Sequence, residues 1–394
     1  SSEPTSREAL NTGSRPGSAP SWRRSAPETL RAIDRLLASV LVPEADPARA
    51  RACLDQIPAG DVDWEALFGL LSTAHLAPLL YYRIKGLDRF DAVPSRTGEL
   101  LHESFRANQI RTHLYRQELD KLSERLADRG LEGVLLKGAL SLFLEIYEHP
   151  AIRVMQDLDL FFSGSDRDAL RGILIPLGYG LIESGLRHDI YLNRKKDIRM
   201  ELHYHLFEAY LSRRDAEKLN RRCWDRRGPI TGGPHALSML SPPDLIFFHV
   251  YHATVHHTGW VYESLYTLGE FIALVRFFRI DGTDELLKES AAVGLTPFFL
   301  LFLYLLQVKT GWRGNSPVPI SGRLKKAFHR YLIRETLSPA WHGLHIRRLI
   351  LGGFGGGFGA CLRRLRQMIV LDKGTGRETL RRVCHTLRRC GGAR

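Results

Sequence analysis

The chain has 394 residues, of which 44% are hydrophobic and 25% charged, and it carries a formal net charge of +13. This composition is that of a globular protein with two or three packed units, and the charge attracts anions such as nucleotides, nucleic acid or an acidic membrane surface. Five widely spaced cysteines without a CxxC pair indicate neither a disulfide framework nor a cysteine zinc site, and favour a cytoplasmic protein. The longest apolar run, from Pro297 to Gln307, is shorter than the roughly 20 residues that span a bilayer, so no transmembrane segment is expected.

The N-terminal third of the chain has a helical pattern. Residues 1–27 are rich in Ser, Pro and Arg, which predicts a disordered tail. Apolar residues at helical spacing then predict helices over Thr29–Leu41, Trp64–Ile84 and Glu99–Arg129.

The period of the apolar residues changes after Gly130. The short apolar run Gly133–Lys137 indicates a buried strand, and Gly138 is predicted to open a helix that continues to Glu148. Acidic and apolar residues alternate over Gln156–Phe162, which is typical of a strand. Further strands are predicted over Tyr179–Ile182, Asp189–Leu192 and Ile198–Tyr204.

The helical pattern returns after Ser241. It predicts helices over Asp244–His257, Tyr262–Phe278, Glu285–Val293 and Pro297–Val308. The sequence thus divides into a disordered tail, an N-terminal helical region, an α/β core, a helical region that completes the cleft, and a basic, glycine-rich C-terminal region, with the boundaries 1–27, 28–130, 131–240, 241–312 and 313–394.

Three acids in the α/β core are candidates for metal binding. Asp157 and Asp159 are two residues apart on a predicted strand, so their carboxylates point to the same face. Two carboxylates on one face repel each other unless a cation or a proton lies between them, and oxygen ligands of this kind suit Mg²⁺. A solvated strand edge is the alternative for an isolated Asp-x-Asp pair. Glu201 supplies a third acid, which alternates with apolar neighbours on a later strand.

A turn upstream of these acids offers a candidate phosphate site. The apolar run ends at Lys137-Gly138, where the predicted helix begins. Glycine permits close approach of a ligand to the backbone, and the free N–H groups of a helix N-terminus bind phosphate. The Lys137 ammonium is suited to contact phosphate groups bound at this turn, and its alternative is a strand-end lysine that reaches solvent.

The motifs Leu135–Gly138 and Arg153–Asp159, followed by the acid-x-His strand at Glu201, resemble the nucleotidyltransferase superfamily of DNA polymerase β. More closely, they resemble a family of uncharacterised bacterial nucleotidyltransferases, over about residues 60–310. The resemblance implies an α+β fold with a polymerase-β-type core, a small mixed sheet with helices, embedded between N- and C-terminal helical regions. It also implies Mg²⁺ held by Asp157, Asp159 and Glu201, with attack of an acceptor on the α-phosphorus of a nucleoside triphosphate.

The nucleotide, with ATP expected, is assigned to a further set of residues around the turn and the two acidic strands: Lys137, Gly138, Ala139, Ser141, Arg153 and His203. The arginine of this set either neutralises phosphate, holds Asp157 or is a plain surface residue. The histidine either orients an acid, binds the acceptor or bonds to backbone at the edge of the core. This chain has Gly-Ala at the turn, where many relatives have a different pair of residues. Relatives also carry an acid near the position of Thr267, for which Glu270 is the substitute in this chain.

The leading hypothesis is an enzyme that moves a nucleoside monophosphate group to a small-molecule, peptide or protein acceptor. Much of the excess positive charge lies beyond Gly311, far in sequence from the acids, so a nucleic-acid acceptor is possible but not favoured. The alternatives are a nucleotidyltransferase that extends nucleic-acid ends, and a degenerate nucleotide-binding or antitoxin-like regulatory module. Retention of all three acids argues against degeneracy, because unused carboxylates in one cleft only repel each other.

Overall fold

The computed structural model describes residues 47–55, 63–208, 211–255, 263–280, 283–310 and 312. In this part of the chain, helices precede and follow a mixed sheet, which confirms the predicted α+β class. The predicted helix over Thr29–Leu41, the tail and the C-terminal basic region lie outside the described residues. The division into five regions therefore stays a prediction.

The first compact unit ends at Glu103 and is helical in its described part. It contains three short helices, α1 (Pro47–Asp55), α2 (Trp64–Thr73) and α3 (Ala77–Gly86). The prediction of one helix over Trp64–Ile84 is therefore wrong. The backbone of His75 adopts a left-handed conformation with φ of 59°, which interrupts the right-handed helical backbone between α2 and α3.

A 33-residue helix, α4 (Ser95–Ala127), begins in the first unit and continues into the second. It confirms the helix predicted over Glu99–Arg129. Gly130 follows with φ of 63°, a conformation that costs glycine little, and the N–H of Leu131 bonds back to the carbonyl of Leu126.

The second unit contains the sheet. Its first helices and its strands, in chain order, are β1 (Gly133–Leu135), β2 (Leu158–Phe161), α5 (Arg167–Leu174), β3 (Gly180–Ser184), β4 (His188–Asn193), β5 (Ile198–His203), α6 (Arg213–Asp225), β6 (Gly228–Pro229) and β7 (Leu237–Met239). The five strands predicted between Gly133 and Tyr204 are thus present, with ends shifted by a few residues.

The order of the strands across the sheet is β3-β4-β5-β2-β1-β7-β6. β2 runs parallel to β5 and antiparallel to β1, and β1 runs parallel to β7. The strands β3, β4 and β5 form an antiparallel meander beside β2. The acidic strand β2 therefore lies in the middle of the sheet, where every one of its residues is buried.

Four helices follow the sheet: α7 (Pro242–Val255), α8 (Glu263–Phe278), α9 (Thr283–Ala292) and α10 (Thr296–Thr310). The helix α10 packs against α7, α8 and α9 through apolar faces, for example with the Phe247 and Phe299 ring centroids 4.7 Å apart. Burial of such aromatic rings stabilises this bundle. None of the helices in the described ranges is long and apolar enough to cross a membrane.

Candidate active site

The two acidic strands lie side by side with their acids in register. In the parallel pair of β2 and β5, Asp159 lies opposite Glu201, and Phe161 lies opposite His203. Opposed residues of paired strands project from the same face of the sheet, so both carboxylates and the imidazole share one face. Glu201, predicted on a later strand, thus lies on the strand next to Asp159 and on the same face.

Asp157 lies immediately before this pair, one residue ahead of the start of β2, and it is half-buried. Burial, together with the negative charges of Asp159 and Glu201, raises the pKa of Asp157 to about 6. Partial compensation comes from the positive charge of Lys137. The three acids therefore interact electrostatically, as expected of carboxylates that face one site.

Asp159 is buried, and its Oδ1 atom accepts two hydrogen bonds. The Lys137 ammonium donates one over 2.8 Å, and the His203 ring donates the other from Nε2 over 2.8 Å. Burial by itself disfavours the charged carboxylate, but Lys137 and His203 outweigh burial and hold the pKa of Asp159 well below its usual range. Asp159 is thus an anion whose position is fixed by two side chains from separate segments.

The turn after β1 brings Lys137 to Asp159. The Lys137 backbone has φ of 46°, which few residues with a side chain adopt, and such strain is common at functional sites. The side chain is largely buried, and the attraction of Asp159 keeps its pKa raised in spite of that burial. The alternative of a strand-end lysine in solvent is therefore wrong.

The helix predicted from Gly138 to Glu148 is replaced by a short 3₁₀ turn over Lys137–Leu142. A surface α-helix needs a polar face, whereas the residues from Gly138 to Leu142 are all buried. The N–H of Ala139 donates to the carbonyl of Leu136, and the Ser141 hydroxyl donates to the carbonyl of Gly138 over 2.7 Å. Two groups assigned to the nucleotide are thus bonded within the turn.

Close packing also explains why residue 138 is glycine. A Cβ atom there would lie 2.6 Å from Cγ of Met155 and 3.1 Å from Cζ of Arg153. Both side chains therefore occupy the space that a Cβ atom of residue 138 would need. The glycine therefore admits neighbouring side chains of the protein, a reason that the sequence pattern did not reveal.

Arg153 is buried and forms a bidentate ion pair with Glu270 on α8. Its Nε and Nη2 atoms lie 3.2 and 3.1 Å from the two carboxylate oxygens, and its guanidinium lies 4.4 Å from the centroid of the Tyr266 ring. The interpretation as a plain surface arginine is wrong. The pair joins the segment before β2 to the helical bundle.

Sequence reasoning missed His188. In the antiparallel pair of β4 and β5 it lies opposite His203, with its Nδ1 atom 3.6 Å from Oε1 of Glu201. The signal was present in the alternation of β4, where His188 and Ile190 take the same face and Asp189 takes the other. The sequence of β4 alone does not indicate which strand pairs with it, so it could not place His188 beside Glu201.

A mixed sheet with an Asp-x-Asp strand beside a strand that carries a third acid has the layout expected of a nucleotidyltransferase. A family model described as uncharacterised nucleotidyltransferase matches residues 60–310, and the chain belongs to this family. It is accordingly an enzyme of the nucleotidyltransferase class.

No curated protein matches the chain. A solved structure of the antibiotic-resistance factor ANT(2'')-Ia is similar over 47% of this chain and 91% of that chain, with 16% sequence identity and a TM-score of 0.33. A likeness at this level carries no inference about the activity of this chain.

Proposed function

We propose that this enzyme transfers a nucleoside monophosphate group from a nucleoside triphosphate, with ATP expected, to a small-molecule, peptide or protein acceptor. The main support is the register of β2 and β5, which sets Asp159 opposite Glu201 with Asp157 just ahead of the strand. The raised pKa of Asp157 agrees with this assignment, because crowded carboxylates release a proton more readily when a cation binds.

The residues present suit Mg²⁺. Three carboxylates offer hard oxygen ligands, which Mg²⁺ prefers, and Asp157 and Glu201 are both accessible in part. Asp157, Asp159 and Glu201 would hold the ion. When bound, Mg²⁺ would neutralise charge on the triphosphate and on the attacking oxygen.

The side chains around these acids have separate tasks in the proposal. The acceptor oxygen attacks the α-phosphorus, the bond from that phosphorus to the bridging oxygen breaks, and pyrophosphate leaves. Lys137 neutralises Asp159 and lies at the turn where the phosphates are expected. His203, on the same face as the acids, donates a hydrogen bond to Asp159. This bond orients the Asp159 carboxylate.

Arg153 has a positioning role in this proposal, because it supports the turn that carries Lys137. Its guanidinium pairs with Glu270 and packs over Gly138, so it fixes the turn that leads from β1 to Lys137. Direct nucleotide contacts by Gly138, Ala139 and Ser141 stay a prediction.

The test is incubation of the full chain with each α-phosphate-labelled nucleoside triphosphate and Mg²⁺, in the presence of metabolite, peptide, protein and nucleic-acid pools. We expect label in a small molecule, peptide or protein together with released pyrophosphate. Asp159→Asn should abolish transfer, whereas Asp168→Asn, an exposed acid on α5, should retain it.

The alternatives predict different products. Extension of labelled primers would favour the nucleic-acid reading, and tight nucleotide binding without any transfer would favour a regulatory module. Equal transfer by wild type and Asp159→Asn would overturn the assignment of the site.

A further inference from the structure

Two histidines and a glutamate converge at the edge of the acidic face. His188 on β4 lies opposite His203 on β5, and Glu201 lies two residues before His203 on the same face. One ligand atom from each of the three residues lies within 4.8 Å of the other two. The Oε1 atom of Glu201 is 3.6 Å from Nδ1 of His188 and 3.7 Å from Nε2 of His203.

These separations are too long for direct hydrogen bonds, which in proteins reach about 3.2 Å between nitrogen and oxygen. They are close to the spacing that a shared metal ion would impose. With zinc–ligand bonds of about 2.0–2.1 Å in a tetrahedron, neighbouring ligand atoms lie about 3.4 Å apart. Small rotations of His188 and Glu201, which are both partly exposed, would bring their ligand atoms to that distance.

The groups around the histidines match those that support a metal site. The second ring nitrogen of His188, Nε2, lies 3.4 Å from Oε1 of Glu183. A metal-binding histidine commonly presents its other ring nitrogen to a carboxylate, which fixes the ring and increases its basicity. Nε2 of His203 also lies 2.8 Å from Oδ1 of Asp159, so zinc binding at this nitrogen would displace the proton of that hydrogen bond and leave the Asp159 carboxylate as a further oxygen ligand.

The chemistry of this set differs from that of the proposed magnesium ligands. Two imidazole nitrogens and a carboxylate are the ligands of zinc sites that keep an open position, whereas Mg²⁺ prefers oxygen. We propose that His188, Glu201 and His203 form a binding site for Zn²⁺ at the edge of the acidic face. The site shares Glu201 with the magnesium set but gains its selectivity from His188 and His203.

The test measures zinc binding directly, on the metal-stripped full chain without nucleotide or Mg²⁺. Calorimetric titration with zinc chloride at neutral pH should reveal one site that His188→Ala weakens at least tenfold. His205→Ala is the matched control, since His205 is an exposed histidine two residues beyond His203 and should bind zinc as wild type does. Excess Mg²⁺ should not displace the zinc, because imidazole is a poor ligand for Mg²⁺.

A second measurement guards against a variant that fails to fold. Co²⁺ in place of Zn²⁺ should give visible absorption bands of a low-coordinate nitrogen and oxygen site, which His188→Gln should remove while its melting temperature stays near that of wild type. Equal zinc affinity in His188→Ala and His205→Ala, or cobalt bands that survive His188→Gln, would overturn the proposal. Neither readout depends on nucleotidyl transfer, so the zinc site and the transfer activity can fail independently.

Discussion

Buried carboxylates lie on both faces of the sheet, but their neighbours differ. On one face, Asp159 bonds to the Lys137 ammonium, whose positive charge also interacts with the carboxylates of Asp157 and Glu201. On the other face, Asp189 lies 3.4 Å from the Arg167 guanidinium. On the first face three carboxylates share the Lys137 ammonium and a weaker contribution from Arg199, whereas on the second face one carboxylate has one guanidinium.

Hydroxyl groups complete the surroundings of Asp189. The Ser184 hydroxyl donates to its Oδ1 over 2.7 Å, and the Tyr204 hydroxyl donates to its Oδ2 over 2.9 Å. Every oxygen of this buried acid therefore has a partner within the protein, as structural carboxylates require. On the other face, the negative charge of the three acids exceeds the positive charge around them. This excess favours the binding of a cation, and it destabilises the folded protein when no cation is bound.

The largest expected effect is on nucleotidyl transfer. Asp159→Asn keeps the shape of the side chain but removes the charge that holds Lys137 and, in our proposal, a metal ion. We expect a loss of transfer on the order of 10³-fold, because the variant loses charge stabilisation in the transition state. The measurement is the rate of label transfer under saturating nucleotide. A loss below tenfold would place Asp159 with the structural acids.

The ion pair of Arg153 and Glu270 should give the largest effect on stability. Glu270→Leu leaves a buried guanidinium without its partner, at a cost of about 3–4 kcal/mol in the free energy of unfolding. Urea denaturation measures this cost. The double variant Arg153→Met with Glu270→Leu should recover part of the loss, since it removes the unpaired charge. A double variant that is less stable than Glu270→Leu would contradict this account.

The opposite face should respond in stability with a smaller effect. Asp189→Ala removes the acceptor of two hydroxyls and the partner of Arg167, which is itself about one-third exposed. We expect a cost of about 2 kcal/mol, with little change in the rate of transfer by the folded protein. Asp168→Ala, on the exposed side of α5, is the control. Transfer that falls as far as in Asp159→Asn would show that the two faces are not functionally distinct.

The smallest effect should be a gain in stability. The pKa of Asp157 is raised to about 6 in the folded protein, so folding becomes less favourable as the pH rises from its unfolded value through 6. Asp157→Asn removes this penalty. In metal-free buffer at pH 7.5 it should stabilise the protein by about 1 kcal/mol, or a few degrees in Tm, because solvent screens the charge of this partly exposed side chain and the amide keeps part of the desolvation cost.

The pH dependence of melting is the critical measurement for this variant. The difference in Tm between Asp157→Asn and wild type should shrink at pH 4.5, where folded wild-type Asp157 already holds a proton. Added Mg²⁺ at pH 7.5 should raise the Tm of wild type more than that of the variant. A variant with a lower Tm than wild type at pH 7.5 would mean that Asp157 has a compensating cation of its own.

Much of the local structure was predictable from the sequence, because its signals are short in range. Alternation over Gln156–Phe162 placed the two acids on one face of the strand and Leu158 and Leu160 on the other, and the same argument oriented Glu201. The pattern failed where an apolar run had no polar face. The buried residues after Gly138 had helical composition but form a 3₁₀ turn, since packing on all sides outweighs propensity.

Partners distant in sequence were decided by the tertiary structure alone. Arg153 and Glu270 are 117 residues apart, and neither residue indicates locally that the other will neutralise it. The same holds for His188, whose place beside Glu201 depends on the pairing of β4 with β5 and of β5 with β2. Side-chain alternation is set by the geometry of one strand, so the sequence determined which residues share a face. Strand order depends on how the whole chain buries its apolar surface, so only the folded structure decided which faces meet.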